Sequence, residues 1–220
     1  MAVSFIIIMG ERTGFMKKSI LIMFVLLGVF SQASAAPATT GTTGNIDTPS
    51  ADVLRPGQAS LAYYKLHEGN DLTFGVNIAK NLELSGARQE YKKTAAENYL
   101  NLKYGVLPEG ILTPGVAVGI EDVTNQKEQT VYAVMSKGLP LGIRVHAGVG
   151  NGHYDGLFFA VEKKLTPMSI GGVFPDTSLI IEHNGHAMNY GLRMSIAAGL
   201  KVDAGWRDNS SYVGFTYNCY

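Results

Sequence analysis

Residues 188–207 have the sequence MNYGLRMSIAAGLKVDAGWR. Apolar side chains occupy every second position on each side of Ala198-Gly199, and small or polar side chains occupy the positions between them. A period of two over eight to ten residues is typical of a β-strand with one apolar face. The break at Ala198-Gly199 then predicts a tight hairpin. The apolar set is Met188, Tyr190, Leu192 and Met194, followed by Leu200, Val202, Ala204 and Trp206.

The same alternation recurs from about residue 59 to the end of the chain and predicts about twelve strands. The phase is ambiguous at 129–137 and 177–184, so ten strands remain possible. Most of the predicted strands approach the nine to eleven residues that a tilted membrane-spanning strand needs. An even count with short connections is typical of a bacterial barrel of antiparallel hairpins. The predicted strands are 59–67, 71–79, 82–92, 95–106, 115–123, 129–137, 142–150, 156–164, 177–184, 187–196, 199–207 and 211–219.

Alternation alone fits two kinds of barrel, because a soluble barrel turns its apolar face inward and a membrane barrel turns it outward. Glycine is frequent on the polar face, which suits a narrow interior. Aromatic residues such as Tyr104, Trp206 and Tyr217 lie near predicted strand ends, where membrane barrels carry aromatic girdles. We therefore expect an all-β fold, an antiparallel transmembrane β-barrel, with a soluble secreted barrel as the alternative.

The composition excludes several other classes of protein. Eighteen basic residues balance eighteen acidic ones, so no strong field favours nucleic acid as a partner. Only 16% of residues are charged and 26 are glycine, which does not suit a helical bundle. The single cysteine, Cys219, excludes an intramolecular disulfide and a cysteine-rich metal cage.

The N-terminal region resembles a targeting signal. Met16-Lys17-Lys18 precedes an apolar run over 20–30, and a small-residue site follows with cleavage after Ala35. This pattern predicts a secretory signal peptide within residues 1–35, preceded by a short extension. Residues 36–55 are rich in Ala, Thr, Pro and Gly and are predicted to form a flexible lead-in. Residues 56–220 then form the barrel, and the C-terminal Tyr220 predicts recognition by barrel-assembly machinery.

Charged residues on the polar face of the strands are predicted to lie in the lumen. They could form an ion-pair lattice that braces the interior, or a polar path for a solute. Cross-strand pairing about the turn at Ala198 further predicts an interior ion pair between Arg193 and Asp203. The predicted lumen-facing charges are Glu83, Glu97, Lys103, Glu121, Arg144, Glu162, Glu182, Arg193, Lys201, Asp203 and Arg207.

Three segments together resemble the YjbH family of outer-membrane, exopolysaccharide-associated barrels. Residues 44–54, GNIDTPSADVL, look like the entry motif before the family's first strand. Residues 114–122, PGVAVGIED, followed by Ser136-Lys137, are similar to a family strand pair. Residues 179–193, with Glu182 and Asn184-Gly185, resemble a family hairpin, although His183 stands where an aromatic residue is usual.

The resemblance implies an outer-membrane protein linked to polysaccharide export, with no catalytic residues to transfer. We expect a non-enzymatic barrel accessory to exopolysaccharide export or envelope assembly. A passive porin for small polar solutes is the alternative, and an outer-membrane hydrolase is a third hypothesis. The expected partners are outer-membrane lipid, barrel-assembly machinery, and polysaccharide or its export components. No cofactor, metal or catalytic residue is predicted, because the chain has no phosphate-binding loop and no nucleophile elbow.

Overall fold

A computed structural model describes residues 36–92, 95–165 and 175–219. The predicted signal peptide and Tyr220 lie outside these residues. The described chain forms a closed barrel of twelve antiparallel strands, in which each strand pairs with its neighbours in sequence and β1 pairs with β12. The strands are β1 Ala59–Lys65, β2 Gly69–Ala79, β3 Leu82–Tyr91, β4 Glu97–Leu107, β5 Gly115–Glu121, β6 Thr130–Leu139, β7 Ile143–Gly150, β8 Gly156–Leu165, β9 Asp176–His183, β10 Met188–Ala197, β11 Leu200–Arg207 and β12 Ser210–Cys219.

The prediction of about twelve strands is confirmed, and the two ambiguous stretches are both strands, β6 and β9. The barrel closes where β1 and β12 pair from Ala59 opposite Cys219 to Lys65 opposite Val213. Closure leaves no unpaired strand edge, which is the condition for a sheet to cross a membrane. No helix among the described residues is long and apolar enough to span a membrane.

The hairpins define two rims, which we name by the chain ends. The terminal rim is where β1 begins and β12 ends, and the opposite rim carries the other ends of these strands. Tight turns close hairpins at both rims. On the opposite rim Asp208 and Asn209 both have positive φ, 49° and 60°, as a two-residue hairpin turn requires. On the terminal rim Gly199 supplies a φ of 76° at the turn between β10 and β11.

The apolar face of the strands points outward, as a membrane barrel requires. Leu61, Val131 and Phe215 are each about half exposed on this face, at 53%, 49% and 51%. Trp206 lies exposed toward the opposite rim, and Tyr104 and Tyr217 lie exposed toward the terminal rim. The polar residues of the alternation point inward. The fold is therefore a transmembrane β-barrel, and the alternative of a soluble barrel is not supported.

The segment that precedes β1 differs from expectation. Every residue from 36 to 50 is buried, although this segment forms no strand of the wall. Its composition predicts a flexible lead-in, because Thr, Gly and Pro have little apolar surface to bury. Its backbone and hydroxyl groups instead find hydrogen-bond partners inside the barrel, so the segment is held there by polar contacts.

Candidate functional site

Residues 36–54, which we call the plug, lie in the lumen of the barrel. The plug folds into two tight loops. In the first, Ala38 N donates to Thr42 O at 2.7 Å, and in the second, Asn45 N donates to Thr48 O at 2.8 Å. Gly41 has a φ of 95°, and a side chain there would meet the backbone oxygen of Gly86 on β3 at 2.6 Å. Glycine at this position therefore lets the plug approach the barrel wall closely.

Glu182 on β9 binds the second loop of the plug. The backbone N–H groups of Ile46, Asp47 and Thr48 donate to its carboxylate at 3.1, 2.8 and 3.2 Å, and the Thr48 hydroxyl donates at 2.9 Å. Asn189 on β10 donates to the same carboxylate at 2.8 Å. Consecutive backbone N–H groups that converge on one anion form a nest. Here the plug supplies the nest and the wall supplies the anion.

Asp47 anchors the plug toward the opposite rim. Its carboxylate lies 3.1 Å from Arg207 Nε and 3.4 Å from His153 Nε2, and it accepts hydrogen bonds from Asn184 at 2.9 Å and from Thr39. Burial alone would raise the pKa of Asp47, but Arg207, assisted by His153 and Thr39, holds this pKa well below the ordinary value of 3.8. Asp47 is therefore a buried carboxylate that stays ionised.

Glu83 and Lys103 hold the plug nearer the terminal rim. Glu83 accepts from Thr43 N at 2.8 Å, from the Thr43 hydroxyl at 2.5 Å and from Leu54 N at 3.0 Å. Lys103 Nζ donates to Thr43 O at 2.7 Å and lies 3.6 Å from the Glu83 carboxylate. Both side chains are fully buried. A buried ion pair is tolerated only when its remaining polar atoms are satisfied, and the plug backbone satisfies them.

Arg193 confirms the predicted ion pair and adds contacts to the plug. It lies opposite Asp203 in the register of β10 and β11, and its Nε donates to Asp203 at 2.5 Å. Its other nitrogens donate to Gly44 O at 3.1 Å and to Asn45 O at 2.8 Å. The guanidinium therefore joins two strands to the plug through one planar group.

Glu121 receives the first loop of the plug. The hydroxyls of Thr40 and Thr42 each donate to its carboxylate at 3.1 Å, and the Tyr154 hydroxyl donates at 2.8 Å. The backbone oxygen of Thr40 in turn accepts from Asn101 on β4 at 2.8 Å. The threonines that made the segment resemble a flexible linker are therefore its hydrogen-bond donors.

Arg144 completes the contacts near the terminal rim. It lies 2.8 Å from Asp52 of the plug and 2.8 Å from Glu109 in the connection between β4 and β5. Burial raises the pKa of Asp52, and the charge of Arg144 opposes that shift. Ala51 N donates at 2.8 Å to the Ser136 hydroxyl, which also contacts His146 Nδ1 at 2.7 Å. The wall thus holds the plug along its whole length.

Glu97 and Glu162 make no hydrogen bond or ion pair with the plug within the described part of the chain. Glu97 lies at the start of β4, with Oε2 buried and lacking a hydrogen-bond partner among the described residues. Glu162 pairs in register with Arg144 on the polar face of β8. Lys201 is buried on β11. The structure brings the other eight charges to the plug: seven contact it directly and Asp203 does so through Arg193.

Two small apolar clusters supplement these polar contacts. Ile46 packs with Tyr64, Ile180 and Tyr212 on one side of the lumen. Ala51 packs on the other side against a cluster of Ala117, Tyr132, Val134, Tyr154 and Phe158. In addition, the Tyr64 hydroxyl donates to Pro37 O at 2.5 Å.

The arrangement contains a partner that neither sequence interpretation of the lumen charges included. Two ion pairs form among these charges, Glu83–Lys103 and Arg193–Asp203, and most of the charges also bind the plug. Sequence reasoning missed Thr40, Thr42, Thr43 and Asp47. One signal in the sequence could have identified this segment as structured. Residues 44–54 resemble a family motif, and a flexible linker would not be expected to keep such a motif. Among the described residues no group of three or more His, Cys, Asp or Glu could hold a metal ion.

These features define a class: a transmembrane β-barrel whose lumen holds the segment that precedes its first strand. Within that class the family is identified by sequence. A family model described as exopolysaccharide biosynthesis protein YbjH matches residues 37–171, which include most of the plug and the first eight strands. The chain belongs to this family, the YjbH family. The match begins in the plug, so the family's shared sequence includes the lumen segment as well as the wall.

A solved structure of a protein named KdgM porin has a similar fold. It superposes with a TM-score of 0.51 at 10% sequence identity, and the alignment covers 74% of this chain and 98% of the porin chain. At this identity the likeness concerns the fold alone. A comparison with curated proteins finds no match.

Proposed function

We propose that this protein is a non-enzymatic barrel of the cell outer membrane that is closed by its own plug. In this role it is accessory to exopolysaccharide export or envelope assembly. The observation that supports the proposal best is the burial of residues 36–50 in the lumen, where buried charges of the wall bind their backbone. A segment with so many satisfied polar groups costs free energy to remove.

Placement in the outer membrane is supported by the outward apolar face and by the aromatic residues near both rims. Outer-membrane barrels of bacteria have an even number of antiparallel strands, so both ends of the barrel chain lie on one side. In the proposed orientation the terminal rim faces the periplasm and the opposite rim faces outward. The expected partners are outer-membrane lipid, barrel-assembly machinery, and polysaccharide or its export components.

A passive porin is the second candidate, and the fold likeness to KdgM porin favours it. The two candidates differ in the state of the lumen. A porin keeps a water-filled path, whereas here Glu83, Glu121 and Glu182 are buried against the plug. We therefore favour a closed barrel that acts by contact with export components or lipid.

Planar-bilayer conductance separates the two candidates. The refolded mature chain should give no steady current, and a variant that lacks residues 36–53 should give ohmic steps. Heat-dependent mobility in SDS gels verifies that both proteins are folded barrels. Steady ohmic current through the intact chain would contradict the closed barrel and favour the porin.

The accessory role is tested in cells of the native host. Deleting the gene should lower extracellular polysaccharide, and the wild-type gene should restore it. A chain without residues 36–53 that still fractionates with the outer membrane should fail to restore it. Unchanged polysaccharide after deletion would contradict the role in export.

A further inference from the structure

We infer that the outward face of β1–β4 near the opposite rim binds a phosphorylated glycolipid of the outer leaflet. The inference rests on the outer-membrane placement proposed above. Two hollows lie on this face, of about 490 Å³ and about 230 Å³. They follow one another along the strands, and their linings change from charged to apolar.

The first row of the site is polar. Lys65, Asn70 and Glu90 are paired across β1, β2 and β3, and all three side chains belong to the outward-facing set. Lys92 follows at the end of β3 and also lines the larger hollow. Lys65 has no hydrogen bond or ion pair within the described part of the chain, so its ammonium group is available to an anion.

The second row combines charged, polar and apolar groups. It lies two residues closer to the terminal rim on each strand. Here Tyr63 pairs with Leu72, Leu72 with Arg88, and Arg88 with Asn98. The Arg88 side chain is 52% exposed and lies 2.8 Å from Glu90. Arginine presents a planar fork of donors that matches a phosphate group. Arg88 is therefore placed at the boundary between the polar and apolar parts of the face.

The third row is apolar and hollow. Leu61 pairs with Phe74, Phe74 with Gly86, and Gly86 with Leu100. The Phe74 and Leu100 side chains close over Gly86, each within 3.0 Å of where a Cβ would lie. The smaller hollow lies beside them and is lined by Leu61, Leu72, Phe74 and Leu100 among others. A recess bordered by leucine and phenylalanine fits an acyl chain.

Charge distribution makes this face different from the rest of the wall. Among the described strand residues, Lys65, Arg88 and Glu90 are the outward-facing charges in the half toward the opposite rim. Outward lysines elsewhere, Lys137 and Lys163, lie toward the terminal rim. Like Lys92, which donates to His67 O at 2.5 Å, they bind carbonyl oxygens of nearby turns. A charge on the lipid face is tolerated only near the headgroup level.

The net charge of the polar part points to an anionic headgroup. Lys65, Arg88 and Lys92 outnumber Glu90 by two charges. Cationic clusters at the headgroup level recognise phosphate groups of lipids. The amides of Asn70 and Asn98 and the Tyr63 hydroxyl supply hydrogen bonds for sugar hydroxyls. A phosphorylated sugar above an acyl chain matches the order of the three rows.

Native mass spectrometry of the mature chain with lipid A and with phosphatidylglycerol tests the inference. The chain should bind lipid A more tightly than phosphatidylglycerol. Arg88→Gln and Lys65→Gln should each weaken lipid A binding by about tenfold, the loss expected for one charge-assisted contact. Lys163→Gln removes an outward cation near the other rim and should leave the affinity unchanged.

Two results would overturn the inference: equal affinity for the two lipids, or equal affinity of the three variants for lipid A. Leu100→Trp adds an independent arm, because it should fill the smaller hollow and weaken lipid A binding while Arg88 is retained. Heat-dependent gel mobility verifies folding of each variant. A barrel that fractionates with the outer membrane but shows no lipid A preference contradicts the lipid site alone. Absence from the outer membrane contradicts the proposed function itself.

Discussion

The wall and the plug of this barrel are held by different interactions. Each strand of the wall pairs its backbone with two neighbours and turns apolar side chains such as Leu192 outward. The plug has only two short bridges of its own, and its stability depends on charged side chains of the wall such as Glu182 and Arg193. A defect in the wall should therefore prevent folding, whereas a defect in the lumen should release the plug from an intact barrel.

The largest expected effect concerns the wall. Leu192 is exposed to lipid on β10, and Leu192→Arg places a charge in the apolar band. This should cost about 2–4 kcal/mol if the side chain lies near the bilayer midplane. Urea unfolding of the barrel in vesicles measures the loss, with Leu192→Met as the control. Equal stability of the two variants would contradict the outward placement of this face.

Glu182→Ala is expected to loosen the plug. The variant leaves the N–H groups of residues 46–48 without an acceptor in a buried site, which should cost about 2–3 kcal/mol. Glu182→Gln should cost less, because its amide oxygen still accepts. For both variants, urea unfolding measures the loss of stability, and current bursts in bilayers report release of the plug.

Glu97→Ala is the matched control for Glu182→Ala, because Glu97 makes no hydrogen bond or ion pair with the plug within the described part of the chain. It should leave both stability and conductance unchanged. If Glu182→Ala behaved in the same way as Glu97→Ala, the nest around Glu182 would not anchor the plug.

The Arg193–Asp203 pair lies at the contact between the wall and the plug, and it can be tested by mutation. A double-mutant cycle with Arg193→Ala and Asp203→Ala should give a coupling of about 1 kcal/mol, since the pair is buried at 2.5 Å. Arg193→Ala should be the more costly single change, because it also removes the contacts to Gly44 and Asn45. The exposed pair of Lys164 and Asp176 should couple by less than about 0.5 kcal/mol. Strict additivity at Arg193 and Asp203 would contradict the pairing.

The smallest expected effect depends on pH. Burial on its own lowers the pKa of His153, but the Asp47 carboxylate outweighs burial and raises it above the ordinary value of 6.5. The folded state thus binds more protons than the unfolded state, so this stabilisation is full below pH 6.5 and is lost as pH rises through the raised pKa. Since the His153 side chain is 26% exposed, we expect a difference below about 1 kcal/mol.

Comparison of the wild type with His153→Gln measures the contribution of His153 to the free energy of unfolding. The wild type should be more stable than the variant at about pH 5.5, and the difference in stability should be smaller at about pH 9. A difference that grows with pH would show that the imidazole binds the plug in its neutral form.

The wall could be predicted from the sequence because a period of two specifies both the strand and its faces. Leu192 and Arg193 show this directly, since adjacent residues point to lipid and to lumen. The turn at Ala198-Gly199 also determined the register, and with it the partner of Arg193. These features are local in sequence, so no long-range information was needed.

The plug could not be predicted in the same way. Its residues have no periodicity, and Thr43 and Asp47 find their partners forty or more residues away, at Glu83, Lys103 and Arg207. An analysis by composition assigns such a segment as a linker, because the segment has few apolar side chains to bury. The hydrogen-bonding capacity of Thr40 and Thr42 is visible in the sequence, but their acceptor Glu121 becomes apparent only in the closed barrel.

The account depends most on the closed lumen, and hydrogen exchange of the mature chain tests it most directly. Mass spectrometry should find the amides of residues 43 and 46–48 protected to a degree comparable with the strands of the wall. Ile111 and Leu112, which lie exposed in the connection between β4 and β5, supply the unprotected reference within the same protein. Exchange of residues 36–54 as fast as this connection, in a barrel whose strands remain protected, would contradict the plug.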